Sequence, residues 1–174
     1  MIPMTDAVEP DAVDRITEQW HRELPDLPLE SMAIFGRIHR ISTKLGERLH
    51  RLYAQYGIAR NEFDVLSAIR RSGEPFTLSP KEISASLMLS SGGLTGRLDK
   101  LEAAGFIERL PDPADRRGLK VRMTEQGREA IEAAARAGVE FHAEKLSVLN
   151  AEERRQLDAL LRKLHANFED QPFG

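Results

Sequence analysis

Two short stretches of this 174-residue chain hold residue types that could do chemistry. In "SSGGLTGR", small hydroxyls (Ser90, Ser91, Thr95) alternate with glycines. In "DPADRRGLKV", residues 112–121, Arg116 and Arg117 sit among two aspartates, a proline and a glycine. Glycine lets a backbone come close to another surface, and hydroxyls beside it reach phosphates or base edges. Arginines on a protruding loop suit the minor groove, where the potential is most negative. Asp115 beside them is suited to orienting one guanidinium rather than opposing the polyanion. The chemistry implied is recognition, not bond making. There is no cysteine nucleophile, no G-x-S-x-G, no P-loop and no G-x-G-x-x-G, and the histidines at 21, 39, 50, 142 and 165 lack metal-ligand spacing. No enzymatic activity, metal or cofactor is expected.

The elements around these stretches must aim them. "SPKE" is a capping box: Ser79 caps, Pro80 opens the helix and Glu82 reaches back. A short helix, a turn at "MLS" and a second helix from Ser90 or Ser91 to Gly105 give helix-turn-helix spacing. Three glycines early in that second helix cost roughly 1 kcal/mol each relative to alanine, so a helix that only packs has no use for them. "GFIERL" and "LKVRM" read as strands, the second with Leu119, Val121 and Met123 alternating with Lys120 and Arg122. With the eight-residue loop "PDPADRRG" between them, they form a β-hairpin behind the helix-turn-helix, a wing with Arg116 and Arg117 at its tip.

The flanks read as helices. Val13, Ile16 and Trp20 are helically spaced before a break at "PDLP". A long segment follows, with Ile34, Ile38, Ile41, Leu45, Leu49, Leu52 and Tyr56 on one stripe and Arg37, Arg40, Lys44, Arg48 and Arg51 on another. That basic stripe reads as a solvated face, with phosphate contact as the other reading. "NEFDVLSAIRRSG" is a further helix with Phe63, Leu66 and Ile69 inward and Gly73 past its end. Thr124 caps a long helix through "REAIEAAARAGVEFHAEKLSVL", and Asn150 with Glu153 opens the last one, to about Phe168. The expected fold is mainly α with a small β-hairpin wing. It is one domain over 1–174: N-terminal helices over 1–56, a winged helix-turn-helix over 57–123 and C-terminal helices over 124–174. The broad apolar faces of the flanking helices imply a homodimer, which would present two recognition helices to a two-fold site.

Net charge is −3, which alone argues against a nucleic-acid binder, but residues 79–123 carry eight Lys/Arg against six Asp/Glu. A mildly basic module therefore sits in an acidic frame. The absence of cysteine fits a reducing cytoplasm, no apolar run is long enough to span a membrane, and "MIPMTDAVEP" carries no signal-peptide pattern.

"LEAAGFIERLPDPADRRGLKVRMTEQG" resembles the MarR family of winged-helix regulators, whose wing carries D-x-R, a branched strand and T-x-x-G, here Asp115, Arg117, Thr124 and Gly127. The resemblance runs over nearly the whole chain. It implies a dimeric transcriptional regulator, most often a repressor, that binds a pseudo-palindromic double-stranded operator and is released by a small aromatic anion. By it, Ser91, Thr95 and Lys100 fall on the recognition helix and Arg116 and Arg117 on the wing. "QW", "ELPDL", "FGRIHR", "NEFDVL" and "MLSSGGLTGRLDKLEAAG" further resemble the urate-responsive (PecS-type) branch, with slight departures at "HREL" and "SGGLTG". The positions that mark that branch's ligand site fall on Trp20, Asp64, Arg97 and Arg109.

The quartet suits urate, a planar aromatic monoanion. An indole offers a stacking face and two guanidiniums offer bidentate donors. Asp64 should repel the anion, which fits a switch: paired with an arginine when the site is empty, displaced when ligand arrives. Trp20 also reads as dimer core, Asp64 and Arg97 as an ion pair, and Arg109 as a phosphate contact. Regulators of another aromatic acid or its coenzyme A thioester, and a DNA-binding dimer without an effector, are the alternatives.

Overall fold

The computed structural model describes residues 9–87, 91–113 and 115–169. The chain divides into two compact units, Met1–Arg51 and Leu52–Gly174.

In the first unit, α1 (Ala12–Glu23) is followed by α2 (Glu30–Ala54), which continues into the second unit. Asp11 caps α1 by accepting from the Val13 and Asp14 N–H groups, and Asp14 returns a bond to the Asp11 N–H. The Asp14 N–H first, then the Val13 N–H and the Arg37 guanidinium, hold the Asp11 carboxyl down to about 2. Arg37 of α2 donates to Asp11 at 3.0 Å and also to Asp14, so one guanidinium fastens α2 to the start of α1. Gly36 lets the Val13 side chain close in beside it, since a Cβ there would stand 3.2 Å from Val13 Cγ1.

The second unit builds the helix-turn-helix and the wing. It contains α3 (Arg60–Arg71), β1 (Thr77–Leu78), α4 (Pro80–Leu87), α5 (Ser91–Ala103), β2 (Ile107–Asp112), β3 (Asp115–Met123), α6 (Glu125–Lys145), a 3₁₀ turn over Leu146–Val148 and α7 (Ala151–Glu169). This is the mainly helical winged helix-turn-helix that the sequence predicts. Its core is apolar and tightly closed: Ile58, Val65, Leu66, Ile69, Ile83, Leu94, Leu101, Val121 and Ile131 are nearly inaccessible to solvent. Apart from Ile58, just before α3, these residues come from α3, α4, α5, β3 and α6, so the helix-turn-helix and wing share one core with α6. Tyr53 is buried and stacks parallel on Phe63, with ring centroids 4.0 Å apart. Its hydroxyl lies 2.8 Å from where a Cβ on Gly138 would stand.

The sheet is three-stranded, ordered β1-β3-β2, and antiparallel throughout. Two features differ from the sequence reading. A two-residue strand, Thr77–Leu78, pairs with Arg122 and Val121; two residues are too few to show a period. The wing strands also run further than expected. Asp112 pairs with Asp115, so most of the supposed eight-residue loop is strand, with a register shift between Pro111 and Asp112. Arg116 and Arg117 thus stand within β3, just past the turn. The prolines that suggest a loop are tolerated because this end of the hairpin has an irregular ladder.

One joint ties α5, the wing and α6 together. Gly105 ends α5 at φ +76°, a conformation that favours glycine. Thr124 caps α6 by accepting from the Gly127 N–H at 3.0 Å, donates its hydroxyl to Gly105 O at 2.7 Å, and donates its N–H to Phe106 O at 3.0 Å. A Cβ on Gly127 would lie 2.1 Å from Phe106 O, whereas one on Gly46 would meet nothing within 4 Å. Gly127→Ala is therefore expected to destabilise the protein by about 2–3 kcal/mol, as overpacking against backbone does. Gly46→Ala, in a helix interior with open space, is expected to stabilise it by about 0.5–1 kcal/mol. Urea midpoints at unchanged slope measure both; equal and small shifts would contradict the assignment of the joint.

Candidate nucleic-acid interface

The helix-turn-helix starts from a capped helix. Glu82 Oε2 accepts from the Ser79 N–H and hydroxyl, both at 2.7 Å, and Ser79 Oγ accepts from the Glu82 N–H at 3.3 Å. This is the box that "SPKE" predicts, and the bond from the Ser79 hydroxyl, more than any other, lowers the Glu82 carboxyl below its ordinary value. Lys120 of β3 lies 3.6 Å from Glu82 and 3.7 Å from Asp112, so one ammonium ties the wing to the start of α4. Arg122 pairs across the hairpin with Glu108 at 2.7 Å. Gly118 sits where a Cβ would come within 3.0 Å of the Asp112 Cβ and 3.1 Å of the Asp115 Cβ, so glycine lets the hairpin close there.

Leu94, Leu98 and Leu101 form the buried stripe of α5, at the spacing of one helix face. Thr95, Gly96, Asp99 and Lys100 are exposed. Ser91 opens the helix, while Ser90 and the turn expected at "MLS" lie outside the described residues. A Cβ on Gly96 would meet nothing within 4 Å. Neither packing nor backbone conformation within the fold accounts for a glycine there, in the middle of a helix.

The proposed ligand residues fall as follows. Trp20 stands on α1, in the first unit, and is 43% exposed. Asp64, on α3, is ion-paired, but with Arg60 of its own helix at 2.5 Å rather than with Arg97 or Arg109. Arg97 of α5 donates its Nη1 to Asn61 O at 3.2 Å, one turn before Asp64 on α3. Arg109 of β2 is held by α5 twice: Nη1 donates to Glu102 Oε2 at 2.7 Å and Nη2 to Asp99 Oδ1 at 2.6 Å. The Arg109 N–H also reaches Glu102 Oε1 at 3.1 Å. The two arginines thus bond to different partners, one on α3 and one on α5, and each reaches between α5 and a neighbouring element.

Arg60, Asp99, Glu102 and Lys120 carry the electrostatics of this region and were not singled out by sequence. The Arg60–Asp64 pair has a visible i,i+4 signal. The bonds of Arg109 to α5 depend on how β2 returns along that helix and leave no spacing signature. A cleft of about 550 Å³ opens between α4, α5 and the wing, lined by Lys81, Ser84, Leu94, Thr95, Arg109 and Leu119 among others. Among the described residues no group of three or more His, Asp or Glu side chains could hold a metal ion, and no helix is long and apolar enough to cross a membrane.

Comparison with known proteins bears on what this geometry does. Residues 56–118 match the model of the MarR family. The chain is 37% identical over 149 residues to the HTH-type transcriptional regulator PecS of Dickeya dadantii, covering 86% of this chain and 90% of that protein. It is 34% identical over 140 residues to the multiple antibiotic resistance protein MarR of Salmonella typhimurium, covering 80% of this chain and 95% of the relative. Among solved structures it is similar to a mutant MarR from E. coli complexed with operator DNA, at 31% identity and a TM-score of 0.67, covering 80% of this chain and 99% of that one.

Gly96 yields a test in which stability and binding move in opposite directions. Gly96→Ala should stabilise the fold by about 0.5–1 kcal/mol and weaken binding to duplex DNA, because the added methyl stands on the exposed side of α5. Thermal unfolding and a DNA titration on the same preparation check the pair. Unchanged DNA affinity would show that the glycine does not serve a close approach.

Proposed function

Because the chain belongs to the MarR family and is a DNA-binding transcriptional regulator rather than an enzyme, we propose that it represses transcription as a homodimer and is released from a pseudo-palindromic operator by urate or a closely related planar aromatic anion. It would act as one domain in the cytoplasm, with 57–123 reading DNA and the flanking segments 1–56 and 124–174 joining the subunits. Exposed apolar side chains on the C-terminal helices support the dimer: Val139 is 66% and Leu160 66% exposed, with Leu157, Leu161 and Phe168 also uncovered. Ser90, Ser91, Thr95 and Lys100 of the recognition segment and Arg116 and Arg117 of the wing would contact DNA, with Asp115 steadying the wing.

One observation carries the ligand-responsive part. The two arginines proposed to take the anion also hold the recognition helix: Arg97 bonds α5 to the first turn of α3, and Arg109 bonds β2 to α5. An anion that takes their donors loosens α5 from both neighbours. It also leaves Asp99 and Glu102 of α5 without the guanidinium that neutralises them, which weakens attraction to phosphates. Trp20 would supply the stacking face, and Asp64 would exchange Arg60 for a new partner as the site fills. The cleft beside Arg109 favours a second reading, in which a different aromatic acid sits against Leu94 with its carboxylate between Lys81 and Arg109.

Trp20 is the only tryptophan in the chain, so its emission reports on one position. Urate is expected to quench it saturably over the concentration range that releases DNA. Arg109→Ala should raise the apparent Kd about ten- to a hundred-fold, the worth of a charge-assisted hydrogen bond. Asp64→Asn should bind the anion yet fail to release DNA. Saturable binding with unchanged emission moves the ligand off Trp20, and a normal release by Asp64→Asn removes the carboxylate from the mechanism.

The wing gives a separate expectation. Arg117→Ala should weaken operator binding while changing folding stability by less than about 0.5 kcal/mol. A large loss of stability with intact DNA affinity would make the arginine a brace instead of a DNA contact.

A further inference from the structure

The basic row of α2 has no role in the site described above. Arg40, Lys44, Arg48 and Arg51 are all exposed, and none forms an ion pair or hydrogen bond among the described residues. At about 100° and 1.5 Å per residue they fall within an arc of about 80° and span about 16 Å of one helix face. The first member of the row behaves differently: Arg37 is neutralised by Asp11 and Asp14 of α1. Glu47 is the only carboxylate between Arg37 and Arg51 in the sequence, and it forms no ion pair with the row. Elsewhere the exposed helices carry matched pairs, such as Arg155 with Glu152 and Arg162 with Asp158 on α7 and Arg128 with Glu125 on α6. Like charges at i,i+4 repel and destabilise a helix, and here that arrangement recurs along the row.

We propose that this face of α2 is a second DNA-backbone surface, engaging phosphates in addition to the helix-turn-helix and wing. The argument is charge complementarity. Four cations of one face, none ion-paired within the described residues and flanked by the single carboxylate Glu47, in a chain whose net charge is −3, match a polyanion. A like row on a second copy would repel it. The side chains are arginine and lysine at simple helical spacing, which suits sequence-independent phosphate contact, not base reading. The inference rests on DNA binding and is independent of the effector.

The test uses the full chain and a mixed-sequence DNA duplex, with affinity measured against salt. The variant Arg40→Gln, Lys44→Gln, Arg48→Gln, Arg51→Gln should still bind, through the helix-turn-helix and wing. The magnitude of its log–log salt slope should fall by about 0.9 for each phosphate that is no longer neutralised, up to about 3.6 if all four cations engage. Single Gln variants should each remove a share, as independent point charges do. A slope equal to wild type, in a wild type that itself binds with steep salt dependence, overturns the proposal. So does a slope change accompanied by altered subunit association in sedimentation, which would assign the row to a protein interface. A wild type that binds no duplex would remove the DNA reading and this inference together, and is thereby distinguishable from a failure of the row alone.

Discussion

The start of α6 comes so near the carbonyl of Phe106 that a Cβ on residue 127 would lie 2.1 Å from it, so this contact exists only because that residue lacks a side chain. Around it, Thr124 makes three bonds: its hydroxyl accepts from Gly127 N–H and donates to Gly105 O, and its own N–H reaches Phe106 O. The end of α5, the root of the wing and the start of α6 are thereby joined within a few ångströms. The direction of the recognition helix and that of the hairpin are not set separately. Both follow from one joint, and the helix leaving it is the one whose far half exposes Val139. The path from α6 to the helix-turn-helix and wing is accordingly short, and close-packed interiors do not deform continuously.

Much of this was legible in the sequence, where the signal was local. "SPKE", "NAEE" and the Thr124 cap all appear as read, because a cap joins residues three apart and its chemistry is written in neighbouring letters. Gly57, Gly73 and Gly105 take positive φ just beyond their helices, where the sequence places helix ends. What escaped was non-local or too short. β1 has two residues and is a strand only because β3 lies beside it. The extent of the wing was hidden by prolines that an irregular hairpin end accepts. The first-turn box of α1, Asp11 with Asp14, follows the same local rule as the others and went unread. In the candidate site, what escaped was relations between residues: the i,i+4 spacing of Arg60 and Asp64 is visible in the sequence, whereas the Asn61 carbonyl that Arg97 reaches, one turn before Asp64 on α3, has no spacing signature.

The ion pairs around α5 also have the right weakness for a switch. Arg109 is 24% exposed and its partners Asp99 and Glu102 are 57% and 39% exposed, so these bonds form in water-rich surroundings. Pairs of that kind contribute little to stability. Breaking them, as the proposed function requires, would change the local charge of α5 far more than it would threaten the fold, whose core holds Ile83, Leu94, Leu101, Val121 and Ile131 beneath.

The parallel stack of Tyr53 on Phe63, 4.0 Å between centroids, has a spectroscopic consequence. Two aromatic rings lying face to face at that distance place each ring's edge protons in the magnetic shielding of the other. The pair joins the last turn of α2 to α3, and Gly138 of α6 abuts the tyrosine hydroxyl. Upfield-displaced Tyr53 and Phe63 resonances therefore form a built-in gauge of the spacing between these helices. Resonances drifting back toward ordinary aromatic shifts would report a sliding of α3, without any label introduced near the DNA.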